Sequence, residues 1–383
     1  MTDLVIKNGF LFDPASGFRG EKGDVAVTDG IITSIGPSAY DATKVIDAEG
    51  FTVVPGLIDF HAHFYSGGTN TSLEYSRFAS GGVTYACDAG SAGDSNIVSF
   101  ISSLSEQERR NAKLYINVSS EGLSCLGDHP ENIHPKYFNA VKIRRLVNQY
   151  PDLIRGIKVR ISKEIAEISG VSSMDALRGA VAVGEAVGLP VSVHMPNYVG
   201  ELKELIDILR PGDIFCHVFT PQKGILTEDG RVSDEMFRAK EKGIILESAC
   251  GKGHFGHECA RKAIEAGLLP DIISGDFTRN TYFLEPAFSL TYLMSRFLAL
   301  GMTLEQVLSC VTTKPAEVLG VQDTVGSLKA GMRANITVLD RREEKISFTD
   351  VMGDAVTGRE LLVPEMTVVE GEILCRNFTA NAR

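Results

Sequence analysis

The segment VPGLIDFHAHF sets two histidines, His61 and His63, two residues apart at the end of an apolar run. On a strand that spacing turns both imidazoles to one face, where they can converge on a single metal ion. A His-x-His pair taken alone also fits hydrogen-bonded core or surface histidines. Its weight comes from company: Lys158 in GIKVR, His194 in VSVHMP, His217 in FCHVF and Asp276 in ISGDF each stand late in, or at the end of, another short apolar run. Packing explains any one of these residues, but it is a strained account of all of them together.

A lysine in such company needs its own chemistry, because an ammonium has no lone pair and repels divalent cations. A neutral amine, in contrast, adds carbon dioxide to give a carbamate, an anion with one oxygen for each of two metals. Lys158 is therefore read as a carbamylated bridge between two divalent ions; the alternative is a lysine at the rim that binds an anionic substrate. A histidine-rich shell with one carboxylate suits Zn²⁺, with Mn²⁺, Co²⁺ or Fe²⁺ as substitutes. Two such ions lower the pKa of a bridging water and polarise a carbonyl oxygen, the combination that attacks an amide or ester. Asp276 is the expected catalytic proton carrier from that water to the leaving group, and ligation alone is its simpler role.

These residues can meet only if the chain brings its apolar runs side by side. Eight such runs occur between residues 55 and 325: VPGLIDFHAHF, GVTYACDAG, KLYINVSS, IRGIKVRIS, LPVSVHMP, DIFCHVF, GIILESAC and DIISGDF. Amphipathic stretches such as MDALRGAVAVGEAVG and HECARKAIEAG separate them. That alternation predicts an α/β protein built on a (β/α)8 TIM barrel, whose strand C-termini gather in one place and host active sites. The flanks read differently. LVIKNGFLF, GDVAVTDG and IITSIG at the start, with Asp29-Gly30 as a turn, and GSLKAGMRANITVLD and MTVVEGEILCRN near the end are hairpin grammar. They predict a small β-sandwich domain of residues 1–54 plus 326–383 around a barrel of residues 55–325.

Composition narrows the partners. With 383 residues, 44% hydrophobic and 23% charged, the chain has the make-up of a folded globular protein. A net charge of -11 and the lack of a dense Lys/Arg run argue against nucleic acid. No apolar stretch is long enough for a membrane span, and MTDLVIKNGF has no secretory pattern, so a cytoplasmic location is expected. The seven cysteines lack C-x-x-C spacing and read as reduced, mostly buried thiols. The expected partner is a small-molecule substrate, and the expected assembly a homo-oligomer.

With PGLIDFHAH, GIKVR, VSVHMP, FCHVF and ISGDF in this order, and the terminal segments DLVIKNG and GSLKAGMRANITVLD, the sequence resembles the amidohydrolase superfamily. Its likeness is to the dihydroorotase-like and deacetylase-like branch with a binuclear metal centre. The resemblance implies His61, His63 and Asp276 on the first ion, His194 and His217 on the second, and Lys158 on both. It also implies hydrolysis of an amide or ester. Dihydroorotases typically carry an Arg soon after His-x-His to grip the substrate carboxylate, where this chain has Phe64 and Tyr65. Arg160 can supply that grip instead, since it should share the inward face of Lys158; pairing with a strand-end acid is the alternative. The Gly-rich segment CGKGHFGH offers Lys252 and His254 as substrate contacts, while His257 also fits a helix start. GIKVR with this Gly-rich segment resembles deacetylases of acetylated α-hydroxy acids or amino compounds. Cyclic-amide hydrolysis is the second reading, and a non-catalytic scaffold the third.

Overall fold

The β-rich start of the chain folds as five strands, β1 (Thr2–Asp13), β2 (Phe18–Thr28), β3 (Ile31–Ile35), β4 (Ala42–Asp47) and β5 (Thr52–Pro55). The apolar runs follow as β6 (Leu57–Ala62), β7 (Val83–Gly93), β8 (Ala112–Asn117), β9 (Ile154–Arg160), β10 (Val191–His194), β11 (Ile214–Cys216), β12 (Ile245–Ala249) and β13 (Ile272–Ser274). The chain then adds β14 (Ile336–Thr349), β15 (Ala355–Val369) and β16 (Glu372–Arg376). This is a computed structural model, and it describes residues 2–36, 41–126, 128–222 and 224–377. The last six residues of the predicted terminal domain lie outside the described residues.

Strands β6 to β13 pair in sequence order, each parallel to the next. The ring closes where Ala62 bridges Phe277 in parallel and the His63 amide donates to the Phe277 carbonyl at 2.8 Å. The fold is thus the TIM barrel that the alternation predicts. The helix foreseen before the fifth barrel strand runs Ser173–Val187, started by the Ser172 hydroxyl on the Asp175 amide and stopped by Gly188 at φ 72°. Ile58, Tyr85, Cys87, Tyr115, Ile214 and Ile272 form one apolar cluster with Leu319 and Val321. Strands β8 and β11 are three places apart in the ring, so Tyr115 and Ile214 share that cluster only across the barrel interior.

The two chain ends build a second sheet, ordered β16-β15-β14-β5-β1-β2-β3 with β4 also on β1. Asp29 and Gly30 both adopt positive φ, 51° and 73°, the conformation a two-residue hairpin between β2 and β3 requires. This sheet has its own core of Ile6, Val25, Val27, Val53, Leu328, Ile336 and Val338. The far half of the β14–β15 hairpin leaves it. There Leu339, Phe348 and Leu362 join the barrel's main core, and the Leu362 amide donates to Ser295 on helix Leu290–Ala299 at 2.9 Å. That hairpin also reaches the loop after β12: Asp350 accepts the His257 amide at 2.7 Å, and His257 Nδ1 donates to the Asp354 carbonyl at 2.9 Å. His257 therefore begins helix His257–Glu265 and serves the packing of hairpin on barrel.

Candidate metal centre

His61 is the last residue but one of β6 and His63 follows the strand; both are buried, with ring centroids 5.4 Å apart. Asp276 lies two residues beyond β13, its Oδ1 3.5 Å from His61 Nε2 and 3.2 Å from His63 Nε2. His217, one residue beyond β11, stands 5.3 Å from the His61 ring and 4.5 Å from that of His194, which ends β10. Five of the expected ligands thus converge at the C-terminal end of the barrel. His217 and Asp276 hold positive φ, 61° and 48°, a conformation that side chains rarely adopt and that persists where surrounding contacts impose it.

Three of the four imidazoles are held by the far nitrogen. His61 Nδ1 lies 3.2 Å from Glu247 Oε1, so its N–H donates to the carboxylate and leaves Nε2 with a lone pair. His217 Nδ1 donates to the Ala249 carbonyl at 2.8 Å. His63 Nδ1 meets Ser91 Oγ at 3.0 Å, and because that hydroxyl donates to Asp88 Oδ2 at 2.8 Å, it accepts from the imidazole. Three histidines therefore turn bare Nε2 atoms to the same space. Burial lowers the pKa of His61, and burial with neighbouring charges lowers those of His194 and His217 strongly, which keeps them neutral and able to ligate. Burial pushes the Asp276 carboxyl up, but whenever a facing imidazole of His61, His63 or His217 carries a proton on that side, it outweighs burial and holds the carboxyl well below the ordinary carboxylate range.

Lys158, on β9, is buried, with Nζ 3.4 Å from Ser192 Oγ and 3.8 Å from Cys216 Sγ. Cys216 Sγ in turn lies 3.3 Å from His61 Nδ1, which ties the lysine to the cluster. The chain makes room for it: a Cβ on Gly90, at φ 90°, would fall 2.5 Å from Lys158 Cβ. The residues fit a metal pair on two counts. His217 Nε2 is buried with no hydrogen-bond partner among the described residues, an expensive state for a lone pair unless something binds it. His61, His63 and Asp276 form one compact set of donor atoms, and His194, His217 and His254 another.

His254 enters that second set from the loop after β12, its ring 4.3 Å from His217 and 4.9 Å from His194. Lys252 is exposed on the same loop. Arg160, two residues past Lys158, donates from Nη1 to Glu131 Oε2 at 3.0 Å, with the Glu131 side chain fully buried. Arg160 is thus paired with an acid, though one from the loop between β8 and β9 and not from a strand end, while Nε keeps no partner among the described residues and its charge adds to the burial that depresses both His194 and His254.

Three groups here escape a reading by motif: Cys216, the Ser91–Asp88 pair and Glu247. A charged residue inside the apolar run IILESA is the one signal that pointed to Glu247. Its carboxylate also accepts the Ser274 hydroxyl at 2.7 Å; burial pushes its pKa up, yet His61 and Lys158 outweigh that and keep it ionised. Glu247→Ala should lower metal affinity roughly 10- to 100-fold, measured by competition with a chelator, as expected for loss of a ligand's orienting carboxylate. Unchanged affinity would mean that packing alone holds His61.

The Amidohydrolase family model matches residues 52–374. A deacetylase from Agrobacterium fabrum is 33% identical over 355 residues, covering 90% of this chain and 85% of the relative. A deacetylase from Enterococcus faecalis is 25% identical over 97% of this chain and 98% of its own. Among solved structures, a dihydroorotase superposes with a TM-score of 0.87 at 29% identity, covering 98% of both chains. An adenine deaminase superposes at 0.89 with 24% identity over 98% of this chain and all of the other, a likeness of fold.

Proposed function

The chain belongs to the amidohydrolase family and is a hydrolytic enzyme, and on that premise we propose a binuclear metal-dependent deacetylase acting on N-acetyl or O-acetyl derivatives of small carboxylic acids. The observation that carries the reading is the convergence of His61, His63, His194, His217 and Asp276, with buried Lys158 behind them, at one end of the barrel. His61, His63 and Asp276 would hold the first ion, His194 and His217 the second, and a carbamate on Lys158 both. Zn²⁺ is the ion this donor set favours, with Mn²⁺, Co²⁺ and Fe²⁺ as substitutes. When bound, two divalent ions supply hydroxide near neutral pH and a Lewis acid for the acyl carbonyl.

The chain's own part is to hold the reacting groups and move a proton. Asp276 Oδ1 faces His61 and His63, while Oδ2 lies over the bare Cα of Gly251, where a Cβ would come within 2.3 Å. That oxygen is free to take a proton from the attacking water and return it to the leaving alkoxide or amine. Arg160 would anchor the substrate carboxylate, with His254 and Lys252 on the facing loop as further contacts. Because Glu131 already occupies Nη1, the anchor uses the remaining edge of the guanidinium. Arg160→Met should raise KM for carboxylate substrates by roughly 10- to 100-fold and leave a neutral acetyl ester nearly unaffected. Equal loss on both would assign Arg160 to supporting the centre through Glu131.

Cyclic-amide opening is the second reading, favoured by the dihydroorotase likeness. Against it, Phe64 packs edge-on to Tyr75, Phe78 and Phe100, and Tyr65 stacks on Phe100 at 4.6 Å, so neither position offers a carboxylate grip after His63. Metal-loaded enzyme should be assayed on acetylated α-hydroxy and α-amino acids beside dihydroorotate and hydantoins. Turnover of the acetyl compounds is expected, and turnover of the cyclic amides alone would replace the first reading by the second.

A further inference from the structure

The opposite, N-terminal end of the barrel carries a second concentration of charge. A cavity of about 530 Å³ opens there beneath the starts of β7, β8 and β9, against the segment 320–324. Its walls present Arg109, Arg110, Lys113, Arg155 and Arg333, five cations in a chain whose net charge is -11. The acids lining it, Glu106, Asp152 and Asp323, are fewer. Arg110 and Arg333 are engaged by Glu370, at 2.9 and 3.6 Å. Arg109, Lys113 and Arg155 have no carboxylate within 4 Å among the described residues.

Lys113 and Arg155 are not idle surface side chains. Lys113 is buried, with Nζ donating to the Asp152 carbonyl at 2.5 Å and standing over the Tyr85 ring at 5.9 Å. Burial, with Arg155 and Arg333 nearby, pushes its ammonium down to about 8, and Asp152 offsets this only in part. Arg155 keeps its buried Nε unpaired among the described residues, and its guanidinium carbon lies 3.9 Å from where a Cβ on Gly320 would sit. Tyr85, only 1% exposed, lines the same cavity. A buried lysine, an arginine with spare donors and a buried phenol around one cavity match the donors a tetrahedral dianion takes up.

We propose that this basal cavity is a binding site for a phosphate group, either free phosphate or the phosphate of a small monoester, separate from the metal centre at the other end of the barrel. The site has room for more than the free ion. Such a ligand would stabilise the folded chain from a position where no catalytic group stands.

The test is calorimetric titration and thermal melting of the metal-loaded enzyme with inorganic phosphate and with glycerol 3-phosphate, against sodium chloride of equal ionic strength. Saturable binding and a raised Tm are expected with the phosphates and not with chloride, and tighter binding of one probe tells which source the cavity prefers. Arg155→Gln should weaken binding at least roughly 10-fold while kcat/KM in phosphate-free buffer stays unchanged. Arg109→Gln, at an exposed position, should weaken it as well and decides the matter if the first variant does not fold. Binding that survives both substitutions would locate the phosphate elsewhere, the metal centre included, and overturn the proposal, as would a chloride effect of equal size.

Discussion

Lys158→Ala is expected to lose bound metal and turnover together, with activity falling by roughly 10⁴-fold or more, the scale of removing a group that acts throughout the reaction. The expectation rests on geometry: Lys158 is buried beside Cys216 and, through it, His61, and its side chain fills the space where a Cβ on Gly90 would sit. Elemental analysis of the purified variant should find both ions depleted, while the circular dichroism spectrum keeps its native shape. Because a carbamate is a carboxylate analogue, a short carboxylic acid diffusing into the space left by the side chain should restore part of both metal content and rate. A variant that keeps two ions would show that Lys158 binds neither, and would return it to the role of an anion-binding lysine.

Asp276→Asn should separate chemistry from metal binding. The amide keeps the shape and can still ligate weakly, but it cannot carry a proton, so kcat should fall by roughly 10²–10⁴-fold. The donors on the far side, His194 and His217, do not touch Asp276 through any hydrogen bond, so the second ion should remain bound. Single-turnover kinetics with metal analysis on the same sample reads both quantities. Near-wild-type turnover in the Asn variant would assign the proton to another group, with His254, whose ring lies 4.3 Å from that of His217, as a candidate.

Much of this centre was legible because its parts lie at strand ends, and strand ends are marked by local pattern. An apolar β-branched run that stops at His61, His194 or His217 tells a reader both the element and the end of the element, and the barrel topology then gathers those ends without further information. Asp29-Gly30 was legible for the same reason, as a turn whose positive φ values follow from two adjacent side chains. Glu247 was not, because its function lies in a contact with a residue 186 positions away, and a lone Glu in a strand has no periodic partner to announce it. Nor does period two foretell that Arg160 meets Glu131: the acid comes from a loop between β8 and β9, whose path no local rule predicts.

The amino-acid order by itself determined the barrel, the family and the residue types of the candidate metal centre, since each depends on short-range periodicity or on residue chemistry at a fixed spacing. Tertiary structure alone decided which nitrogen of His61, His63 and His217 faces inward, that Cys216 and Glu247 stand against His61, that the far half of the β14–β15 hairpin packs on the barrel, and that three cations unpaired with carboxylates meet at its base. Those outcomes arise from side chains distant in sequence competing for the same buried space, where each hydrogen bond is worth keeping only because its partner is already held in place.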